Sequence, residues 1–140
     1  MKITKLFFAV SAIIFIFAFK SNSYAQQYPI LYFCEKYGSN GEVGVSDRFT
    51  TGYLTVMVKA DGPLGLRDCS IQIDKYNCSS GTFSYYKKFN YSVTPEQAYV
   101  YFEKNSESDM SFDDPGVYRV FLLDHNDRTI ASGLVEIIQK

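Results

Sequence analysis

Asp114-Pro115-Gly116-Val117-Tyr118-Arg119-Val120-Phe121-Leu122 is the stretch on which the reading of this chain turns. Proline and glycine side by side mark a turn, because one fixes φ and the other takes backbone conformations that a side chain resists. From Val117 to Asp124 the residues then follow the two-residue period of a β-strand. Tyr118, Val120 and Leu122 fall on one face, and Arg119, Phe121 and Leu123 on the other. The first inward residue is a tyrosine, with an apolar ring to bury and a hydroxyl that needs a partner.

Working outward, the same period recurs along the chain. Cys69 to Tyr76 is the cleanest case, with Cys69, Ile71 and Ile73 opposed to Ser70, Gln72 and Asp74. Ile30 to Lys36, Tyr53 to Ala60, Ala98 to Glu103 and Thr129 to Ile138 also read as strands. Thr82 to Val93 is a long strand or a pair joined by a bulge, in which Lys87 interrupts the face Phe83, Tyr85, Phe89 and Tyr91, so a bulge or bend is expected near it. Asp61-Gly62-Pro63, Asn77 to Gly81 and Thr94-Pro95 supply turns, and Asp124 to Arg128 closes a final hairpin. No convincing amphipathic helix is found. Seven strands with turns between them predict an all-β, antiparallel two-sheet sandwich. Two connections are longer: an excursion from Tyr37 to Gly52 and an acidic segment from Glu103 to Gly116.

The opening stretch resembles the tyrosine corner of immunoglobulin-like domains, an Asp-x-Gly-x-Tyr motif entering the penultimate strand. The resemblance implies an immunoglobulin-like sandwich in which Asp114, Gly116 and Tyr118 are structural residues. Val120 stands where the second sheet-bridging cysteine of antibody domains would fall, and the chain has no tryptophan for the core position. The likeness is therefore one of architecture, and it implies no particular activity.

The first 25 residues have the layout of a secretory signal peptide. Lys2 and Lys5 precede an uncharged run from Leu6 to Phe19, and Ser23-Tyr24-Ala25 supplies the small residues of a cleavage site before Gln26. That run spans only ~21 Å as a helix, short of a ~30 Å hydrocarbon core, so no membrane anchor is expected after cleavage. Residues 26–140 then form one soluble, exported domain, periplasmic or secreted. The segment removed holds three lysines and no acid, which leaves 11 basic and 15 acidic residues and a formal charge of about −4. An acidic chain whose only adjacent basic pair is Lys87-Lys88 argues against nucleic acid as a partner.

Export makes the three cysteines a question of pairing. If Cys69 to Tyr76 is one extended strand, Cys69 and Cys78 lie too far apart to bridge. Cys34 paired with either, or three unpaired thiols, are the open readings.

Catalysis finds little support. The single histidine, His125, sits in the final turn, where nothing encloses it and no nucleophile accompanies it. The chain is read as non-enzymatic. Five carboxylates crowd the acidic segment, among which Glu107, Asp109 and Asp113 are the candidate Ca2+ ligands of an alternative, loop-mediated binding role. Their spacing lacks the regularity of a calcium loop, Met110 and Phe112 interrupt it, and no cofactor is expected. The alternative is a solvated connection. The stronger hint is the last hairpin. Strand 117–124 is apolar on both faces, and so is 129–138, where Ile130, Leu134 and Ile138 alternate with Ala131, Val135 and Ile137. Either a protein partner or a second copy covers the outer face, with Arg119, Phe121 and Leu123 as its residues, or the Tyr37–Gly52 excursion folds over it. Ser132-Gly133 is expected to form a bulge.

Overall fold

The computed structural model describes residues 28–140, so the expected signal peptide at residues 1–25 lies outside the described residues. The described chain is built from strands alone: β1 (Ile30–Cys34), β2 (Lys36–Gly38), β3 (Gly41–Val43), β4 (Arg48–Thr50), β5 (Gly52–Tyr53), β6 (Thr55–Lys59), β7 (Asp68–Asn77), β8 (Thr82–Ser92), β9 (Tyr99–Phe102), β10 (Ser111–Phe112), β11 (Gly116–Asp124) and β12 (Thr129–Ile138). Among the described residues there is no helix, and so none long and apolar enough to cross a membrane.

A five-stranded sheet runs β4-β12-β11-β7-β8, antiparallel except where β4 joins β12 in parallel. A three-stranded antiparallel sheet runs β1-β6-β9, and two short pairs, β2-β3 and β5-β10, complete the fold. One apolar cluster joins the two larger sheets. Ile71, Ile73, Tyr118, Val120, Leu122, Val135 and Ile137 come from the five-stranded sheet, and Leu31, Phe33, Val56, Val58, Val100 and Phe102 from the other. This all-β arrangement is compatible with a β-sandwich.

The seven predicted strands are present. The bulge predicted beside Lys87 is present too, as a register shift that pairs Ile73 with Lys87 but Asp74 with Tyr85. The extra residue reverses parity within β8. Phe83 and Tyr85 point outward with Asp74, whereas Phe89 and Tyr91 turn in against the core.

Three expectations are corrected. Ser132-Gly133 holds no bulge, because Phe121 pairs with Ser132 and Val120 with Gly133 in continuous register, and the shift falls between Leu122 and Leu123. Gly133 answers a different need. A Cβ there would lie 2.8 Å from the Leu31 carbonyl oxygen and 3.0 Å from its Cδ2, so only glycine lets β1 approach β12 this closely. The excursion does not cover the last two strands. Its β2-β3 hairpin folds over the outer face of the small sheet, where Tyr37 stacks on Tyr101 at 4.4 Å and the Tyr32 hydroxyl donates to Glu42. That cover makes β6 buried on both faces, Val56 and Val58 toward the core and Thr55 and Met57 away from it. Nor is the acidic segment a freely solvated connection. Met110 and Phe112, which break its run of carboxylates, are fully buried, and β10 pairs with β5.

The entry to β11 matches the chemistry read from the sequence. Gly116 has φ of +148°, outside the reach of ordinary side chains. Tyr118 is fully buried, and its hydroxyl donates to the Asp114 carbonyl at 2.7 Å. Its ring packs edge-on against Phe112 at 5.1 Å and tilted against Tyr86 at 5.5 Å. Burial pushes the phenol up to about 12.

All three cysteines are unpaired. Cys34 and Cys69 are buried and Cys78 is exposed beyond the end of β7, whose unbroken course separates Cys69 from Cys78 as expected. Burial raises the Cys69 thiol to about 11, which keeps it protonated and inert.

Candidate interaction face

The outer face of the five-stranded sheet is assembled by register. In one row across the sheet stand Leu134 of β12, Arg119 of β11, Asp74 of β7 and Tyr85 of β8, each paired with the next. The adjoining row is Ser132, Phe121, Gln72 and Lys88. On the other side lie Tyr76, paired with Phe83, and Val117, paired with Glu136. Along the middle of β7, β11 and β12 the residues opposite this face, Ile71, Ile73, Tyr118, Val120, Val135 and Ile137, enter the core, and these are what remains outside.

The face is apolar and open. Tyr85 is 65% exposed, Leu134 57%, Val117 38% and Tyr76 36%. No element of the described chain lies over them. Phe83 and Phe121, half-buried, hold the Arg119 guanidinium between them, its carbon 4.5 Å from one ring centroid and 4.8 Å from the other. Stacking of this kind is attractive electrostatically and keeps a long side chain in one place. The Arg119 Nη2 stands 3.6 Å from Asp74 Oδ2, a loose pairing, while Oδ1 of Asp74 accepts from Gln72 Nε2 at 3.0 Å. The Arg119 Nε is buried and has no hydrogen-bond partner. At the margins the charges are matched at short range, Arg48 with Glu136 at 2.6 Å and Lys88 with Asp127 at 2.5 Å.

Of the three residues the sequence nominated here, Arg119 and Phe121 lie at the centre. Leu123 shares their side by register with Ser70 but is buried, and it stands just past the register shift that follows Leu122. Phe83, Tyr85, Asp74 and Leu134 belong to the same face and were not nominated. The placement of Leu134 was readable from its parity. That of Phe83 and Tyr85 depended on which side of the bulge they fell.

The calcium candidates are held apart. Asp113 pairs with Lys87 at 2.7 Å and also accepts from the Tyr86 hydroxyl. The Lys87 ammonium beside it keeps its carboxyl below the usual carboxylate range. Asp109 stands 3.6 Å from Lys104. Glu107 lines a polar cleft of about 620 Å³ together with Asp68, Lys88, Asp124 and His125. Asp124 is buried and engaged: its carboxylate accepts from the Arg128 and Asn126 backbone and meets the Arg128 guanidinium at 2.7 Å. The Arg128 backbone N–H, first among these, draws its carboxyl down. Among the described residues, no group of three or more histidines, cysteines or carboxylates is arranged to hold a metal ion. His125 is exposed on the hairpin turn, with only the Asn126 amide at 2.9 Å.

No protein-family model matches the chain, and no curated protein or solved structure does either. The site is therefore read from its own chemistry.

Proposed function

We propose that this chain is an exported, non-enzymatic binding module of immunoglobulin-like sandwich architecture, which recognises protein through the outer face of β7, β8, β11 and β12. The observation that carries the reading is the clamping of Arg119 between Phe83 and Phe121 in the middle of an exposed apolar patch. Aromatic residues and arginine dominate the energetics of protein recognition, and a centre of this kind surrounded by matched charges has the anatomy of an interface core and rim. The Tyr118–Asp114 hydrogen bond at the head of β11 supports the immunoglobulin-like assignment, since a hydroxyl reaching back to backbone a few residues upstream defines the tyrosine corner. The single histidine is exposed on a turn and its ring is hydrogen-bonded to the Asn126 amide, with no orienting carboxylate, which supports a role other than catalysis.

Site-specific photo-cross-linking in cells that make the protein tests the face. A cross-linker at Tyr85 or Leu134 should give a discrete protein adduct that Arg119→Asp removes, and one at the exposed Glu96, remote in the fold, should not. Absence of an adduct from the face, or equal adducts from both places, would overturn the reading.

A further inference from the structure

We infer that the polar cleft at the end of the five-stranded sheet where β7 begins and β8 finishes binds a neutral, hydroxyl-rich ligand of one or two saccharide units. Its lining includes none of Phe83, Arg119 and Phe121, so this site does not rest on the reading of the face given above. In the sheet Asp68 pairs with Ser92, and Ser70 with Asn90. Asn105 and Glu107 of the acidic segment, with the turn after β11, complete a cleft of about 620 Å³. That volume falls within the roughly 300–1,000 Å³ of sites that enclose a small molecule.

Ser70 is what points to a ligand. It is only 4% exposed, yet among the described residues its hydroxyl has no hydrogen-bond partner. Buried polar groups are nearly always satisfied, and an exception asks for a reason. Among the described residues, Arg119 Nε is the one buried side-chain nitrogen or oxygen sealed from solvent without a partner. The Ser70 hydroxyl, equally without one, therefore opens into the cleft that it lines.

The groups left free choose the chemistry. Lys88, the lysine of the lining, is matched by Asp127 at 2.5 Å, and Asp124 is held by Arg128. The Tyr91 hydroxyl is taken up by Ser108 at 2.7 Å. Asn105 Oδ1 accepts from the Glu107 and Ser108 N–H groups, which leaves its NH2 as a donor. The Asn90 amide makes no side-chain hydrogen bond among the described residues, nor does the Glu107 carboxylate, and both are exposed. Asp68 accepts from the Ser92 hydroxyl through Oδ1 alone, at 3.3 Å. Free donors and free acceptors thus stand together, with the charges of Asp68 and Glu107 uncompensated.

An anion would meet those two carboxylates and find no free lysine. An ammonium would satisfy the carboxylates, but it donates three hydrogen bonds and accepts none, so the Asn90 and Asn105 donors would go unanswered. A hydroxyl donates one and accepts two without adding charge, and so serves both kinds of group. A saccharide carries several hydroxyls on one rigid ring, which spares the cost of ordering them separately.

Backbone amide NMR of the protein, titrated with cellobiose, maltose and chitobiose to about 20 mM, covers the range in which so open a site binds. At least one of the three should shift the amides of Ser70, Asn90, Asn105 and Glu107 and leave those of the β2-β3 hairpin in place. Spermidine, a donor-only cation, and inorganic phosphate should not shift this set. Ser70→Ala should weaken the binding about 10-fold without lowering Tm, because the hydroxyl it removes has no partner in the free chain. Asn90→Ala, at an exposed position, should weaken it by a similar factor. Silence of these amides toward all three disaccharides would overturn the inference, as would an equal response to spermidine or phosphate. Variants that bind like wild type would overturn it too. A Tm lowered by Ser70→Ala would show that the hydroxyl is already satisfied, and would remove the observation on which the site stands.

Discussion

Replacing Tyr118 with phenylalanine removes one oxygen and keeps everything else the ring does. The edge-on contact with Phe112 and the tilted contact with Tyr86 involve ring carbons, and both survive. What is lost is the 2.7 Å hydrogen bond to the Asp114 carbonyl. Such a bond is worth about 1 kcal/mol net, and Asp114 is exposed, so water reaches its freed carbonyl and the larger penalty of a buried orphan is avoided. The expected destabilisation is about 1–1.5 kcal/mol, or ~4–6 °C in Tm for a domain of this size. Tyr118→Ala loses the ring as well and should cost about 3–5 kcal/mol. Urea unfolding followed by circular dichroism measures both, and an unchanged m-value confines the effect to the folded state. There is also a pH signature. Burial pushes the Tyr118 phenol up to about 12, so between pH 10 and 12 the folded chain keeps a proton that the unfolded chain releases. The stability this group adds is complete below pH 10 and is lost as pH rises through that window. The gap between wild type and Tyr118→Phe should therefore narrow there. A phenylalanine variant within ~0.3 kcal/mol of wild type at pH 7 would show that the hydroxyl does not hold this corner.

Gly133→Ala places a Cβ 2.8 Å from the Leu31 carbonyl oxygen, a backbone atom that cannot swing aside. It should cost about 1–3 kcal/mol by thermal melt, while Gly62→Ala, with open space around it, should cost little; equal effects would refute the close approach. Glu42 accepts from the Tyr32 hydroxyl, the largest of the influences that draw its carboxyl down from 4.5 to about 2. The stability it lends is present above pH 4.5 and is lost as pH falls toward 2, so Glu42→Gln should flatten the acid limb of Tm against pH; an unchanged limb would count against the latch. Thiol titration should find Cys78 reactive in the folded protein and Cys34 and Cys69 reactive only in denaturant; a native-state reaction of Cys69 would contradict its burial.

Much of the fold was legible because buried strands leave a mark of period two. Ile71 and Ile73 opposite Ser70 and Gln72, or Val100 and Phe102 opposite Tyr99 and Tyr101, assign their own faces. The bulge was legible as well, since Lys87 breaks the face Phe83, Tyr85, Phe89 and Tyr91; in the structure Lys87 stays on the side of Phe89 and Tyr91, and Phe83 and Tyr85 are the residues turned outward. The five short strands β2, β3, β4, β5 and β10 were not. Two or three residues carry no period, and their pairing depends on what the longer strands place beside them. Met110 and Phe112 show the same limit. Set among carboxylates they read as interruptions of a polar loop, yet they anchor it, because burial is decided by the sheet beside the loop and not by the neighbours in sequence.

Sequence alone determined the class of the chain, the strands long enough to alternate, and the turn at Pro115-Gly116 that feeds Tyr118 inward, because each rests on the preferences of residues a few positions apart. Tertiary structure alone decided which outward faces stay open. Parity says that Tyr101 and Leu134 both leave the core; the β2-β3 hairpin stacks Tyr37 on Tyr101 and leaves Leu134 bare. Likewise only the register of β7, β8, β11 and β12 brings Phe83 and Phe121, 38 positions apart in the chain, to either side of one guanidinium. Contacts between residues so distant in sequence are set by the packing of whole sheets, and no local pattern records them.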